Sequence, residues 1–429
     1  MDVLKTTLPN GLKVLLKEIH TTPIISHWLW VRVGSRDEGP GLSGVSHWVE
    51  HMQFKGTPLF PAGRLDKDIS RDGGFWNAMT YIDWTAYFET MPADKIDLAL
   101  RLEADRSVNS TFDPQEVEAE RTVIISERQG NENSPMFLLD EDVQEAAFQK
   151  HAYQHEVIGH LADLQTITRD DLYNHYRHFY VPNNAVLAVA GDFECQRMLE
   201  RLRQLYEPIP AGPTPPRPAV EEPPPAEERR VVTKGPGETV FVKAAYRSVP
   251  ATHPDFSALT VADSLLAGPS NLNMFSGGIS NKTSRLYRRL VDRDLAVGVS
   301  GGLQATIDPF LYDLTMVVHP ARKAEEAVAA LDEELARLQD SPPKPEELAR
   351  AVKQAQALFA YGSESITNQA FWLGFAEIFD DYAWFETYLE RLAAVTPNDV
   401  QRVAQIYLRP QRRVLGVYQP DGRPESSDA

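Results

Sequence analysis

The sequence predicts an α+β fold in two homologous domains, and three observations carry that prediction. Runs rich in β-branched and aromatic residues alternate with stretches of helical periodicity along most of the 429 residues. One proline-rich stretch, Pro208 to Pro225, breaks that pattern, cannot hold a helix and favours extended backbone. Beyond it the pattern begins again, and Thr168 to Val189 aligns without gaps onto Thr396 to Val417 at a constant offset of 228. There Thr168 matches Thr396, Asp171 matches Asp399 and Pro182 matches Pro410, while Val186, Leu187 and Val189 match Val414, Leu415 and Val417. Such agreement points to a duplicated domain of about 200 residues. The expected boundaries are 1–207 for the first domain, 208–229 for a linker and 230–429 for the second.

Taken in order, Thr6 to Lys17 reads as two short strands around Asn10-Gly11, a strong hairpin pair. Ile24 to Val33 is the next strand. A glycine-bearing loop, Gly34 to Gly44, feeds a short helix over His47-Trp48-Val49-Glu50-His51, with Ser43 as the expected N-cap and Gly56 as the expected stop. Gly73-Gly74-Phe75-Trp76-Asn77-Ala78-Met79-Thr80 leads into a strand through Tyr87 and Phe88, and Lys95 to Ser107 is helical. Asp113-Pro114-Gln115-Glu116 is a capping box with proline at the first helical position. The helix it opens carries Glu116, Glu120, Ile124 and Glu127, and the two glutamates seven apart, Glu120 and Glu127, share one face. Leu138 to Phe148 and Arg169 to Phe179 are helical, Val186 to Ala190 is a strand, and Thr239 to Tyr246 is the first strand after the linker.

Composition excludes several classes. A formal charge of −18 argues against nucleic-acid binding. A single cysteine, Cys195, excludes an intrachain disulfide framework and any cysteine-based zinc site. No signal-peptide-like apolar run and no stretch of about 18 apolar residues occurs, so the expectation is a soluble cytoplasmic protein without a membrane span.

The chemistry concentrates in the pentamer. On a helix, imidazoles four apart project from one face about a turn apart, a spacing that suits two nitrogen ligands to one zinc ion. Glu50 follows His47 by three and points to nearly the same side, where a carboxylate could take a proton from zinc-bound water. A surface helix that happens to carry two histidines would give the same pentamer. A catalytic zinc site usually has three protein ligands, and Glu127 is the natural third, with Glu120 behind it. His155-Glu156-Val157-Ile158-Gly159-His160 imitates the commoner His-Glu-x-x-His motif but has its histidines five apart, and Gly159 disfavours a helix there.

With these residues in place, the chain resembles the pitrilysin/insulinase family of zinc peptidases, the inverzincins, in the branch of mitochondrial processing peptidase and its short bacterial relatives. The family pattern is His-x-x-Glu-His followed 76 positions later by a glutamate ligand, and Glu127 lies 76 after His51, with Glu120 where the family has a supporting glutamate. The family's Gly-Gly-x-x-Asn-Ala-x-Thr segment stands here as Gly73, Gly74, Asn77, Ala78 and Thr80, with Asp83, Thr85 and Tyr87 following. The resemblance implies two α/β-roll domains of the processing-peptidase-like (LuxS/metallohydrolase-like) type, with antiparallel-rich sheets packed by helices. It implies one Zn²⁺ per chain held by His47, His51 and Glu127, Glu50 as general base, and Glu120 orienting a histidine ligand. Asn77 and Ala78 would receive the peptide substrate on an edge strand by β-augmentation.

One family feature is missing. The second half of the family normally supplies an arginine and a tyrosine to substrate and oxyanion, in a segment that reads here Ser284 to Val297. Val291 and Val297 stand in those two places, and neither can donate a hydrogen bond. The expectation is therefore a zinc metalloendopeptidase working on unfolded peptides inside a closed chamber, as the zinc-bearing subunit of a heterodimer whose paralogous partner supplies the Arg/Tyr pair. A homodimer is the rival assembly. A non-catalytic scaffold subunit is the rival function, and the intact metal set argues against it. The acidic residues Glu132, Asp140, Glu141 and Asp142 could attract basic peptides or simply form a solvated helix face.

Overall fold

In the computed structural model, residues 3–217, 220–273, 275 and 277–422 are described. The first hairpin forms as its Asn-Gly pair requires. Strand β1 (Leu4–Thr7) runs antiparallel to β2 (Lys13–Glu18), with Gly11 at φ +88° in the turn. There follow β3 (Ile24–Val31), α1 (Val45–Met52), α2 (Leu65–Arg71), β4 (Phe75–Thr80), β5 (Thr85–Pro92) and α3 (Asp97–Asn109). Next come α4 (Pro114–Asn131), α5 (Pro135–Ala147), α6 (Leu161–Thr166), α7 (Arg169–Phe179), β6 (Ala185–Gly191) and α8 (Cys195–Tyr206). The described part of the proline-rich stretch holds neither helix nor strand. Beyond it lie β7 (Arg229–Gly235), β8 (Phe241–Arg247), α9 (Phe256–Leu266), β9 (Ala296–Leu303) and β10 (Leu311–Val318). Helices α10 (Ala324–Asp340), α11 (Pro345–Tyr361), α12 (Ile366–Phe379), α13 (Ala383–Ala393) and α14 (Pro397–Tyr407) lead to β11 (Arg413–Pro420).

The strands build two sheets, and their topology shows the duplication. One sheet has the order β1-β2-β6-β3-β5-β4 and the other β7-β11-β8-β10-β9. In the first, β2 and β6 are parallel and every other pair is antiparallel; in the second, β7 and β11 are parallel and the rest antiparallel. Without β1, the two sheets share one order and one set of directions. The offset of 228 carries Ala185 onto Arg413, the first residues of β6 and β11, and α7 onto Pro397–Tyr407. Both of those helices open on the same capping box. Thr168 donates Oγ1–H to Asp171 at 2.6 Å and accepts the Asp171 N–H at 3.2 Å, and Thr396 with Asp399 repeats both distances. The expectation of two mixed α/β domains with antiparallel-rich sheets is met.

By contacts the chain divides into two compact units that interleave. One contains residues 1–128, 155–220 and 363–385; the other contains 129–154, 221–362 and 386–429. The switch at 220–221 falls inside the expected linker, while two helical segments cross over between the linear halves. In the first unit α12 covers the β3 face, where Trp28 and Trp30 stack at 5.4 Å and Phe371 packs edge-on against both. Gly374 makes that approach possible, because a Cβ there would stand 2.1 Å from Trp30 Nε1. In the second unit α5 lies on β11, and Gly416 does the same for Val143 and Leu139.

Candidate metal centre

The pentamer is helical, as its spacing predicts, but its cap is not the expected one. Helix α1 begins at Val45, and the residue before it, Gly44, sits at φ +89° where a Cβ would meet the Ile158 carbonyl oxygen at 2.5 Å. The Ser43 hydroxyl donates instead to Asp163 Oδ2 at 2.6 Å. The buried Glu38 carboxylate takes the capping role, accepting the N–H groups of Gly44 and Ser46 at 2.8 Å each. The helix ends at Met52 with Gln53 as C-cap, and Gly56 follows at φ +96°. The second glutamate-bearing helix opens at the expected proline but with only the Asp113 half of the capping box, since the Glu116 carboxylate lies 3.8 Å from Lys55 Nζ instead. Asp113 Oδ1 accepts from Gln115 N at 2.8 Å, Pro114 opens α4, and the helix buries Val117, Glu120, Ile124 and Arg128.

These two helices bring His47, His51 and Glu127 together. One donor atom from each can be chosen so that all lie within 4.8 Å of one another. Glu127 Oε2 is 4.0 Å from His47 Nε2 and 3.7 Å from His51 Nε2, and the two imidazole centroids are 4.6 Å apart. Donors sharing one tetrahedral ion at bonds of about 2.1 Å would stand roughly 3.4 Å apart, so the set fits a zinc-sized ion with small side-chain adjustment. Glu127 is 43% exposed, which leaves the cluster open on one side.

The surrounding groups prepare these donors. His51 Nδ1 is 2.8 Å from Glu120 Oε1, so with Nδ1 carrying the hydrogen the Nε2 lone pair is free. Lys55 pairs with the other Glu120 oxygen. Burial pulls His51 down, but the Glu120 hydrogen bond and the carboxylates of Glu50, Glu120 and Glu127 outweigh it and the net shift is upward. The same carboxylates that favour a proton on His51 would favour a cation in its place. Burial, with the neighbouring His51, pushes His47 down to about 3, so it is a neutral donor. Burial raises Glu50 to about 6, opposed by the Thr80 hydroxyl, which donates to Oε2 at 2.7 Å.

Asn77 and Ala78 lie on β4, which has β5 on one side and is the edge of its sheet. The Asn77 carboxamide oxygen accepts the Ala78 N–H at 2.9 Å. Three features carry no signal in the sequence, the Glu38 cap, the Lys55–Glu120 pair and the Thr80 bond, since no partner's spacing marks the contact. Residues 155–160 form no helix, with Gly159 at φ +80°, so the imitation motif has no metal-binding geometry. In the other unit Val291 closes a π-helical turn, Tyr287–Val291, and Val297 is 55% exposed on β9. Arg285 is bonded to Glu334 and Glu347, and Arg289 to Glu333. Of the four acidic residues after the ligand helix, Asp140 pairs with Lys243 at 2.5 Å and Asp142 accepts from Thr233.

No helix is long and apolar enough to cross a membrane among the described residues. Comparison with known proteins agrees with the architecture. Over 418 residues the chain is 27% identical to an uncharacterized zinc protease of Streptomyces coelicolor, covering 96% of this chain and 89% of that one. It is 27% identical to the mitochondrial-processing peptidase subunit beta of Dictyostelium discoideum, over 94% of this chain and 86% of that one. The crystal structure of a protease from Helicobacter pylori superposes with a TM-score of 0.90 at 27% identity, covering 98% of this chain and 99% of that one. Residues 166–355 match the family model described as "Peptidase M16 inactive domain", and residues 13–160, which hold the histidine pair and Glu127, match "Insulinase (Peptidase family M16)". The chain belongs to the M16, or insulinase, family of peptidases.

Proposed function

We propose that this chain is a zinc metalloendopeptidase that hydrolyses unfolded peptides or small polypeptides, and that His47, His51 and Glu127 hold one zinc ion per chain. The observation that carries the reading is the convergence of those three donors beside a buried carboxylate, Glu50. Relatives named as zinc proteases support it. Bound zinc supplies Lewis acidity, polarising the scissile carbonyl and easing deprotonation of water. Glu50 takes one proton of the attacking water as its oxygen bonds to the carbonyl carbon, and gives that proton to the leaving nitrogen as the C–N bond breaks. Glu120 holds His51 in the tautomer that presents Nε2. Asn77 and Ala78 on the open edge of β4 accept the peptide as an added strand.

The testing experiment is hydrolysis of a peptide library by wild type and Glu50→Gln. The expected result is cleavage by wild type, none by Glu50→Gln, and equal zinc in both; equal turnover by the variant disposes of the assigned base. Because the base must be ionised, the rate falls as pH drops through the Glu50 value, at or below about 6 once the cation's charge adds its pull.

The two valines, Val291 and Val297, favour a heterodimer in which a paralogous chain supplies the missing donors and helps close a chamber around the peptide. A relative whose own name is subunit beta fits that assembly. Full-rate cleavage by the purified chain alone would favour the homodimer. The scaffold alternative requires a chain that binds no metal and cleaves nothing.

A further inference from the structure

Among the described residues, the Glu50 carboxylate receives one side-chain hydrogen bond, and its donor sits on the strand proposed to receive substrate. Thr80, the last residue of β4, donates Oγ1–H to Glu50 Oε2 over 2.7 Å. Its neighbours fix that direction. Thr85 Oγ1 lies 3.4 Å from Thr80 Oγ1 and gives its own hydrogen to the Val33 carbonyl at 2.9 Å, so the carboxylate is the strong acceptor within reach. Thr85 is fully buried and pairs with Thr80 in the β4–β5 register, which holds the hydroxyl in place from behind. Ala78 and Thr80, two apart on one strand, point to the same face.

We propose that Thr80 is a positioning residue for the proton transfer. Its hydroxyl holds Oε2, leaving Oε1 to meet the attacking water, and links the base to the strand that docks the peptide. The water proton goes to Oε1, and the oxygen left behind bonds to the carbonyl carbon. This inference rests on reading Glu50 as the base.

The test is steady-state hydrolysis of one peptide by wild type, Thr80→Val, Thr80→Ala and Thr80→Ser, with zinc content and melting temperature measured on each. Loss of the hydroxyl in Thr80→Val lowers kcat roughly 10- to 100-fold with KM within about twofold, the scale of a misplaced reacting group. Thr80→Ser, which keeps the hydroxyl, stays within about threefold of wild type, and all variants keep full zinc. Wild-type kcat in Thr80→Val overturns the proposal. So does an equal loss in Thr80→Ser, or a rise in KM at unchanged kcat, which would mean the residue only shapes the strand. Should Thr80→Val not fold, Thr80→Ala removes the same hydroxyl and is judged by the same results. Glu50→Gln run alongside separates the two readings. Full activity there defeats the assigned base, whereas an inactive Glu50→Gln beside a fully active Thr80→Val defeats the role of Thr80 alone.

Discussion

Glu120 touches no substrate in the proposed mechanism, yet His51 depends on it. Its carboxylate fixes the imidazole through Nδ1 at 2.8 Å and is itself held by Lys55. Glu120→Gln keeps the shape but removes the charge, and is expected to weaken zinc binding by roughly 10- to 100-fold while leaving the fold intact. Competition with a chelator of known affinity measures this, and unchanged affinity would remove Glu120 from the site. The residues legible in the sequence share a reason. His47, Glu50 and His51 lie on one helix, and Glu120 and Glu127 on another, so the 3.6-residue period alone puts them on common faces. Lys55, Thr80 and Glu38 were not legible as part of the site. Their contacts run between elements, over separations such as the 30 residues from Glu50 to Thr80, and no local period encodes such a meeting.

At the scale of elements, the short helix α1 is set by its N-terminus. Ser43 has the right chemistry for a cap, but the left-handed Gly44 turns the chain so that Asp163 takes its hydroxyl and Glu38 supplies the capping oxygens. Burial raises Glu38 to about 8 although the Ser46 and Gly44 N–H groups oppose the shift. A carboxyl raised on folding binds more protons in the native state than in the unfolded chain. Its contribution is therefore full below the ordinary value of 4.5 and is lost as pH rises through about 8. Wild type is expected to lose more stability than Glu38→Gln between pH 5 and pH 8, read from denaturant midpoints; parallel curves would contradict this. Strand β7 escaped the sequence reading for a related reason. Its Arg229-Arg230-Val231-Val232-Thr233-Lys234 run is an edge strand whose more exposed residues include Arg230 and Lys234, so charge dilutes its apolar signal, whereas β8 is buried from Val242 to Arg247.

For the whole molecule, the duplication was legible because the helix-turn-strand from Thr168 to Val189 recurs with its capping box intact. The interleaving was not, since nothing in the local pattern of α5 or α12 says which sheet it covers. Residues 1–207 by themselves lack α12, whose Phe371 and Phe375 cover Trp28 and Trp30. That fragment is expected to be insoluble or loosely packed when expressed alone and to gain fixed tertiary structure when co-expressed with 208–429, as read by near-ultraviolet circular dichroism; a native-like fragment alone would contradict it. Whatever the assembly, the proposed chemistry depends on one cation held by residues of α1 and α4. The most direct measurement is metal analysis of the purified wild-type chain beside Glu50→Gln and Glu127→Gln. One zinc per chain in wild type and Glu50→Gln, with a large loss in Glu127→Gln, is the predicted result. A chain that holds no zinc, or holds it undiminished without Glu127, would contradict the metal centre and the hydrolysis built on it.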